Sequence, residues 1–152
     1  MTVAERIADA SNRFYLRIRH PQAWETASSR PGTFDLLQGP KYILLHTFRR
    51  SGEGVPTPVW FGLADGKLYF RTYADAPKVK RIRANPRVLV APCDVRGKPK
   101  GDLIEGRARV LPVAEEGAAE QAIQANYGLF RRFYESSFAM KVEGAYVEVA
   151  PA

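Results

Sequence analysis

The chain of 152 residues is 45% hydrophobic and 26% charged, an ordinary balance for one globular domain with its own core. Its single cysteine, Cys93, excludes an internal disulfide, and one thiol with two histidines, His20 and His46, offers no metal-ligand spacing. The net charge of +7 is concentrated: residues 71–100 hold nine Lys or Arg against two acids, while the remainder balances 14 against 14 (23 − 9 and 16 − 2). Confined cationic charge implies an anionic partner. No apolar run approaches the ~20 residues that span a bilayer, and the N-terminus has no apolar signal core. The expectation is a cytoplasmic protein without a membrane partner.

In chain order, Val3, Ile7, Ala10, Phe14 and Ile18 follow helical spacing up to Pro21. Residues 21–40, rich in Ser, Pro and Gly, read as a connecting loop. The division expected is therefore an N-terminal helix and loop over 1–40 and a main domain over 41–152. Lys41–Phe48 is a strand, Ser51–Gly54 a turn, and Val55–Phe61 a second strand whose Pro56 and Pro58 remove two donors from one edge. Ala64-Asp65-Gly66 is a hairpin turn into a third strand, Lys67–Tyr73. A short helix starts at Asp75 or Ala76, with Pro77 in its first turn, and stops at Asn85-Pro86. Arg87–Cys93 and Leu103–Leu111 are further strands, Ala114 to about Ala139 is helical with a break near Tyr127-Gly128, and Val142–Val149 is the last strand. Six strands at hairpin spacing predict a mainly β (α+β) fold: an antiparallel sheet closed into a barrel, with flanking helices.

The short helix carries the chemistry. A helix N-terminus offers free amides and partial positive charge, a ready anion site. Lys78 and Lys80 add two charges in its first turn, Arg71 precedes it, and Thr72 and Tyr73 offer hydroxyls. A phosphate group suits this set better than a solvated helix face does.

The stretches V-P-T-P-V-W-F (55–61), D-G-K-L-Y-F-R-T (65–72), K-V-K-R-I-R-A-N-P-R-V-L-V-A-P-C-D-V-R-G-K-P (78–99) and E-G-R-A-R-V-L (105–111) resemble the split-barrel flavin and deazaflavin oxidoreductases related to pyridoxamine-phosphate oxidase. The phrase around N-P-R resembles in particular the branch dependent on coenzyme F420. The resemblance implies a six-stranded split β-barrel, a homodimer, and a cofactor in a groove between subunits. It implies a phosphate grip at Arg71, Thr72, Tyr73, Lys78, Val79 and Lys80, and a ring system beside Thr57, Pro58, Val59 and Trp60. Arg96 and Lys98 are candidates for the polyglutamate tail of F420. The implied reaction is hydride transfer between F420 and a small organic substrate. The cofactor carries the chemistry, so no side chain is expected to be an obligatory catalyst and no metal is expected; water, Tyr73 or His46 are possible proton sources.

Four alternatives remain open at this stage: FMN in the same groove, haem binding or breakdown in the same fold, which no well-placed histidine favours, cofactor binding without turnover, and a nucleic-acid-binding module. The short basic helix has neither outward Asn or Gln for base reading nor interleaved aromatics, so nucleic acid is not the expected partner. Cys93 and His46 read as packed residues and His20 as a surface residue. Arg107 and Arg109 read as one exposed strand face, and Phe130, Phe133, Tyr134 and Phe138 as packing.

Overall fold

A computed structural model describes residues 3, 6–7, 10, 18–26, 28–128 and 143–152. The seven strands are β1 (Tyr42–Phe48), β2 (Gly54–Val59), β3 (Gly62–Ala64), β4 (Lys67–Tyr73), β5 (Arg87–Cys93), β6 (Ile104–Val110) and β7 (Gly144–Pro151). They form one antiparallel sheet in the order β2-β1-β5-β6-β7-β4-β3. Two α-helices join them, α1 (Pro77–Ala84) and α2 (Val113–Tyr127), with 3-10 turns at Pro21–Trp24 and Asp35–Leu37. Among the described residues no helix is long and apolar enough to cross a membrane.

The connectivity dictates the shape. β2 and β3 lie at opposite edges of the sheet, yet only Trp60 and Phe61 separate them. Three Cα steps cover at most ~11 Å, so the two edges must come together and the sheet must roll up. The seam is not zipped. β3 pairs only with Lys67–Tyr69, so the edge of β4 beyond Tyr69 and the outer edge of β2 have no strand partner among the described residues. The result is a split barrel.

The extra strand arises at Trp60-Phe61. The strand expected over Val55–Phe61 ends at Val59, and helix α2 takes over the backbone partners of the bend. The Phe61 N–H donates to the Tyr127 hydroxyl at 2.8 Å, and Asn126 Nδ2 donates to the Phe61 carbonyl at 3.0 Å. The Tyr127 hydroxyl also donates to the Lys41 carbonyl at 2.5 Å. Gly62 follows because α2 lies directly on it: a Cβ there would sit 2.1 Å from the Ala122 carbonyl oxygen.

Alternation sorts the side chains. Ile43, Leu45, Phe70, Val90 and Val147 fill the barrel, and Ile82 of α1 plugs one end. On the outside, Leu44 and Cys93 of β1 and β5 are covered by Ala23 of the first 3-10 turn. Across the barrel, α2 covers Tyr146 with Ala119, Ile123 and Tyr127. Phe34 and Leu37 join the interior cluster. α2 stops where Gly128 takes a positive φ of 55°. The expected helix over the first 20 residues falls mostly, and the helical stretch from 129 to 139 with Phe130, Phe133, Tyr134 and Phe138 wholly, outside the described residues.

Candidate anion site at the barrel seam

The prolines of β2 mark the seam. Pro56 and Pro58 stand opposite His46 and Leu44 of β1. A strand residue sends its N–H and C=O to the same side. The Pro56 carbonyl accepts from Nη1 of Arg19, away from β1. The missing N–H groups therefore lie on the unpaired edge and cost the β1–β2 ladder nothing.

Three cations converge where this edge meets α1. Lys78 is buried, and its Nζ reaches the Thr72 hydroxyl of β4 at 3.4 Å. Arg81, one helical turn on, donates from Nε to the Thr47 hydroxyl of β1 at 2.7 Å. Thr47 stands opposite Val55, next in register to Pro56, where Arg19 is held. Arg19 is buried too. None of the three has a carboxylate partner among the described residues. Burial, then the like charges of Arg19 and Arg81, pushes Lys78 down to about 8. Burial lowers Arg19 to about 10, and burial with the Arg49 charge lowers Arg81. Buried cations are normally paired, so this cluster is arranged for an anion. The first turn of α1 adds little: Pro77 has no N–H, and the N–H groups of Ala76, Val79 and Lys80 already donate to the Tyr73 and Ala76 carbonyls.

The structure divides the residues expected at the site. Lys78 and Thr72 meet. Val79, 100° round the helix, is fully buried with Ala76 and Ala145, so its side chain faces the core. Lys80 points to solvent. The pair expected to act together in the first turn is split by its spacing of two. Tyr73 packs beside the Val79 cluster. Arg71 leaves β4 on the face opposite Thr72, over the Tyr146 ring at 5.9 Å, in space left by Gly144. Thr57 and Val59 are buried opposite Leu45 and Ile43, facing the barrel interior, while Pro58 is half-buried on the other face. Trp60 stacks on Tyr127 with ring centroids 4.6 Å apart, at the far end of β2.

Arg96 and Lys98 lie on the β5–β6 loop, away from Lys78 in the fold. Arg96 holds the Ile18 carbonyl through Nε and Nη2, both at 3.2 Å. Sequence reading missed Arg19, Arg81 and Thr47. Arg81 was legible as the position three after Lys78 on the same helix face. Arg19 was not, because 37 residues separate it from Pro56.

Other chemical groups are buried in packing or held in ion pairs and caps. Cys93 is buried and its thiol is pushed up to about 12. Arg109 donates to Glu148 at 3.0 Å and to Glu115 at 2.7 Å, and Tyr69 donates to Glu148 at 3.0 Å. His20 caps the first 3-10 turn through Nδ1. A separate cleft of about 460 Å³ between Thr33–Gln38 and the β3–β4 turn contains Asp35 and Asp65 and no cation, so it does not suit an anion.

The fold and this seam define a split-barrel protein with a candidate anion site. Residues 32–146 match the pyridoxamine 5'-phosphate oxidase family, and the chain belongs to that family. Among solved structures it is similar to an F420 reductase, with 24% identity, 81% of this chain and 95% of that chain covered, and a TM-score of 0.52. It is also similar to an FAD-binding protein of Mesorhizobium loti (18% identity, 76% and 82% covered, TM-score 0.53). A third likeness is HutZ, a haem storage protein of Vibrio cholerae (12% identity, 76% and 84% covered, TM-score 0.56). No curated protein matches the sequence.

Proposed function

We propose that this protein binds coenzyme F420 along the barrel seam and acts as a cytoplasmic, homodimeric reductase, passing a hydride between F420 and a small organic substrate. The observation that carries the reading is the carboxylate-free cluster of Lys78 and Arg81, with Thr72 and Thr47, at an unzipped seam. The residues fit the group. Buried cations await a phosphate, and the exposed Lys80 and Arg83 of the same helix are free to meet carboxylates of a polyglutamate tail. The unpaired edges of β2 and β4 leave backbone groups beside the place where a ring system would lie.

Within this reading, Lys78 and Arg81 neutralise and fix the phosphate, and Thr72 and Thr47 orient those two cations. Arg71 flanks the seam from the outer face, with its guanidinium seated on Gly144. Trp60 has one ring face stacked on Tyr127. The bound deazaflavin supplies the hydride chemistry. His46 is buried on the outer face beneath residues 23–26 and is not placed to move a proton at the seam; of the side chains considered, that leaves Tyr73, at the end of β4.

FMN is the second reading, because its phosphate would meet the same cations. Haem finds no imidazole at the seam: His46 faces outward and His20 caps a turn. The test is a fluorescence titration of the purified protein with F420 and, separately, with FMN. Tight F420 binding with weak FMN binding supports the proposal. Preference for FMN moves the chemistry to flavins, and binding of neither removes the reading.

A further inference from the structure

Arg19 lies outside the segment that matches the family, which begins at residue 32, yet it is one of the most deeply buried cations among the described residues. A seat is built for it. Asp94 Oδ1 accepts from the N–H groups of Arg96 and Lys98, both at 2.9 Å, and closes a turn in which Gly97 has a φ of 87°. From that turn Arg96 clasps the Ile18 carbonyl, and the Arg96 carbonyl accepts from the His20 N–H at 3.0 Å. Residues on both sides of Arg19 are thus pinned. The stem passes Gly97 at contact range: a Cβ there would lie 3.6 Å from Arg19 Cγ and 3.3 Å from Leu44 Cδ1. The stem runs over the outer face of β1, and the guanidinium turns round the β2 edge onto the Pro56 carbonyl.

Satisfying one edge carbonyl needs one neutral donor. Arginine brings five N–H groups and a permanent charge to a place that already holds Lys78 and Arg81, and it worsens their repulsion. That choice suits a ligand, not a clip. Resting on the anion-site reading above, we infer that Arg19 is a ligand-binding residue delivered by the N-terminal segment: the third cation of the seam site, closing over the phosphate from the side opposite α1. The chemistry it recognises is a phosphate oxygen, whether ester or free inorganic ion.

The test uses the full chain with Arg19→Gln and Arg96→Ala, probed with F420, FMN and inorganic phosphate. Binding is read by titration, and the melting temperature is recorded with phosphate and with chloride at equal ionic strength. The expected result is that Arg19→Gln folds, binds the preferred cofactor about tenfold or more weakly, and loses the phosphate-dependent rise in melting temperature. Arg96→Ala, an exposed change that only loosens the clasp on Ile18, weakens binding by a smaller factor of about three. Equal affinity in Arg19→Gln and wild type overturns the inference and leaves the cofactor reading standing. Should Arg19→Gln fail to fold, unchanged affinity in Arg96→Ala overturns it instead. If the wild type binds neither cofactor but phosphate stabilises it in an Arg19-dependent way, the inference holds and the cofactor reading falls. No response to any of the three probes removes both.

Discussion

Replacing Lys78 with methionine should make this protein more stable and less able to bind its ligand. The ammonium is buried against Arg19 and Arg81 with only a long contact to Thr72, and its affinity for a proton falls from 10.5 to about 8. At pH 7 it is still charged, so the folded state carries the whole cost of that shift, about 3 kcal/mol at ~1.36 kcal/mol per pH unit. Methionine has similar length, no charge and no donor. It should recover roughly 2–3 kcal/mol, raising the melting temperature by roughly 5–10 °C for a chain of this size. The same change removes a charge-assisted contact to an anion, and affinity for F420 should fall by about 10- to 100-fold. Calorimetry at pH 7 reads the first effect and fluorescence titration the second. A pH series adds a signature. The unfolded chain holds the Lys78 proton up to 10.5 and the native chain only to about 8, so wild-type stability should rise between those values. The variant should lack that rise. A melting temperature below wild type would refute the reasoning, because it would show Lys78 to be a satisfied structural cation.

Three further outcomes follow from other parts of the molecule. His46 is fully buried, neither ring nitrogen has a hydrogen-bond partner among the described residues, and burial lowers it from 6.5 to about 4. The native state must therefore lose about 3 kcal/mol as pH falls from 6.5 to 4, and urea unfolding of His46→Leu should show a flatter acid limb. Gly62→Ala puts a Cβ 2.1 Å from backbone of α2; the helix must lift, and stability should drop by about 3 kcal/mol or more in urea unfolding. Gly144→Ala meets the flexible Arg71 guanidinium first, 2.3 Å from the new Cβ. It should leave the melting temperature nearly unchanged while displacing Arg71, and cofactor affinity should fall several-fold; unchanged affinity would remove Arg71 from the site.

Much of the barrel is written in local patterns. Lys67–Tyr73 and Arg87–Cys93 are bounded by turn residues that fix both ends, and their strands match to the residue. Pro77 and Asn85-Pro86 bracket α1 in the same way. Where a boundary depends on a distant helix, local pattern fails. Nothing in Val55–Phe61 announces that Tyr127 and Asn126 will take its last backbone groups, so one strand read from sequence is two in the fold. The site follows the same rule. Lys78, Thr72 and, through helical spacing, Arg81 belong to one short stretch of chain. Lys80 met the charge count but points to solvent and not toward Lys78, since positions two apart on a helix face away from each other. Arg19 reaches the site through a turn at Asp94–Lys98 and had no local signal at all.

The position of the site follows from the defect in the barrel. A fully closed sheet has no free edge, and an open one exposes backbone groups that invite pairing with another chain. Here the bend at Trp60-Phe61 brings β2 to β3 without zipping β2 to β4. Two prolines remove donors from the β2 edge, and Arg19 occupies the Pro56 carbonyl on that same edge. These features block strand addition, yet they leave space and polarity where a planar ligand can lie. Ile82 seals the barrel end beside the seam, while the same helix turns Lys78 and Arg81 toward it. Stability and binding thus pull against each other at one helix: its apolar side closes the core and its cationic side lowers stability until an anion arrives. Ligand binding must therefore raise the melting temperature by more than its affinity for a neutral site would give, and that excess should vanish in Lys78→Met.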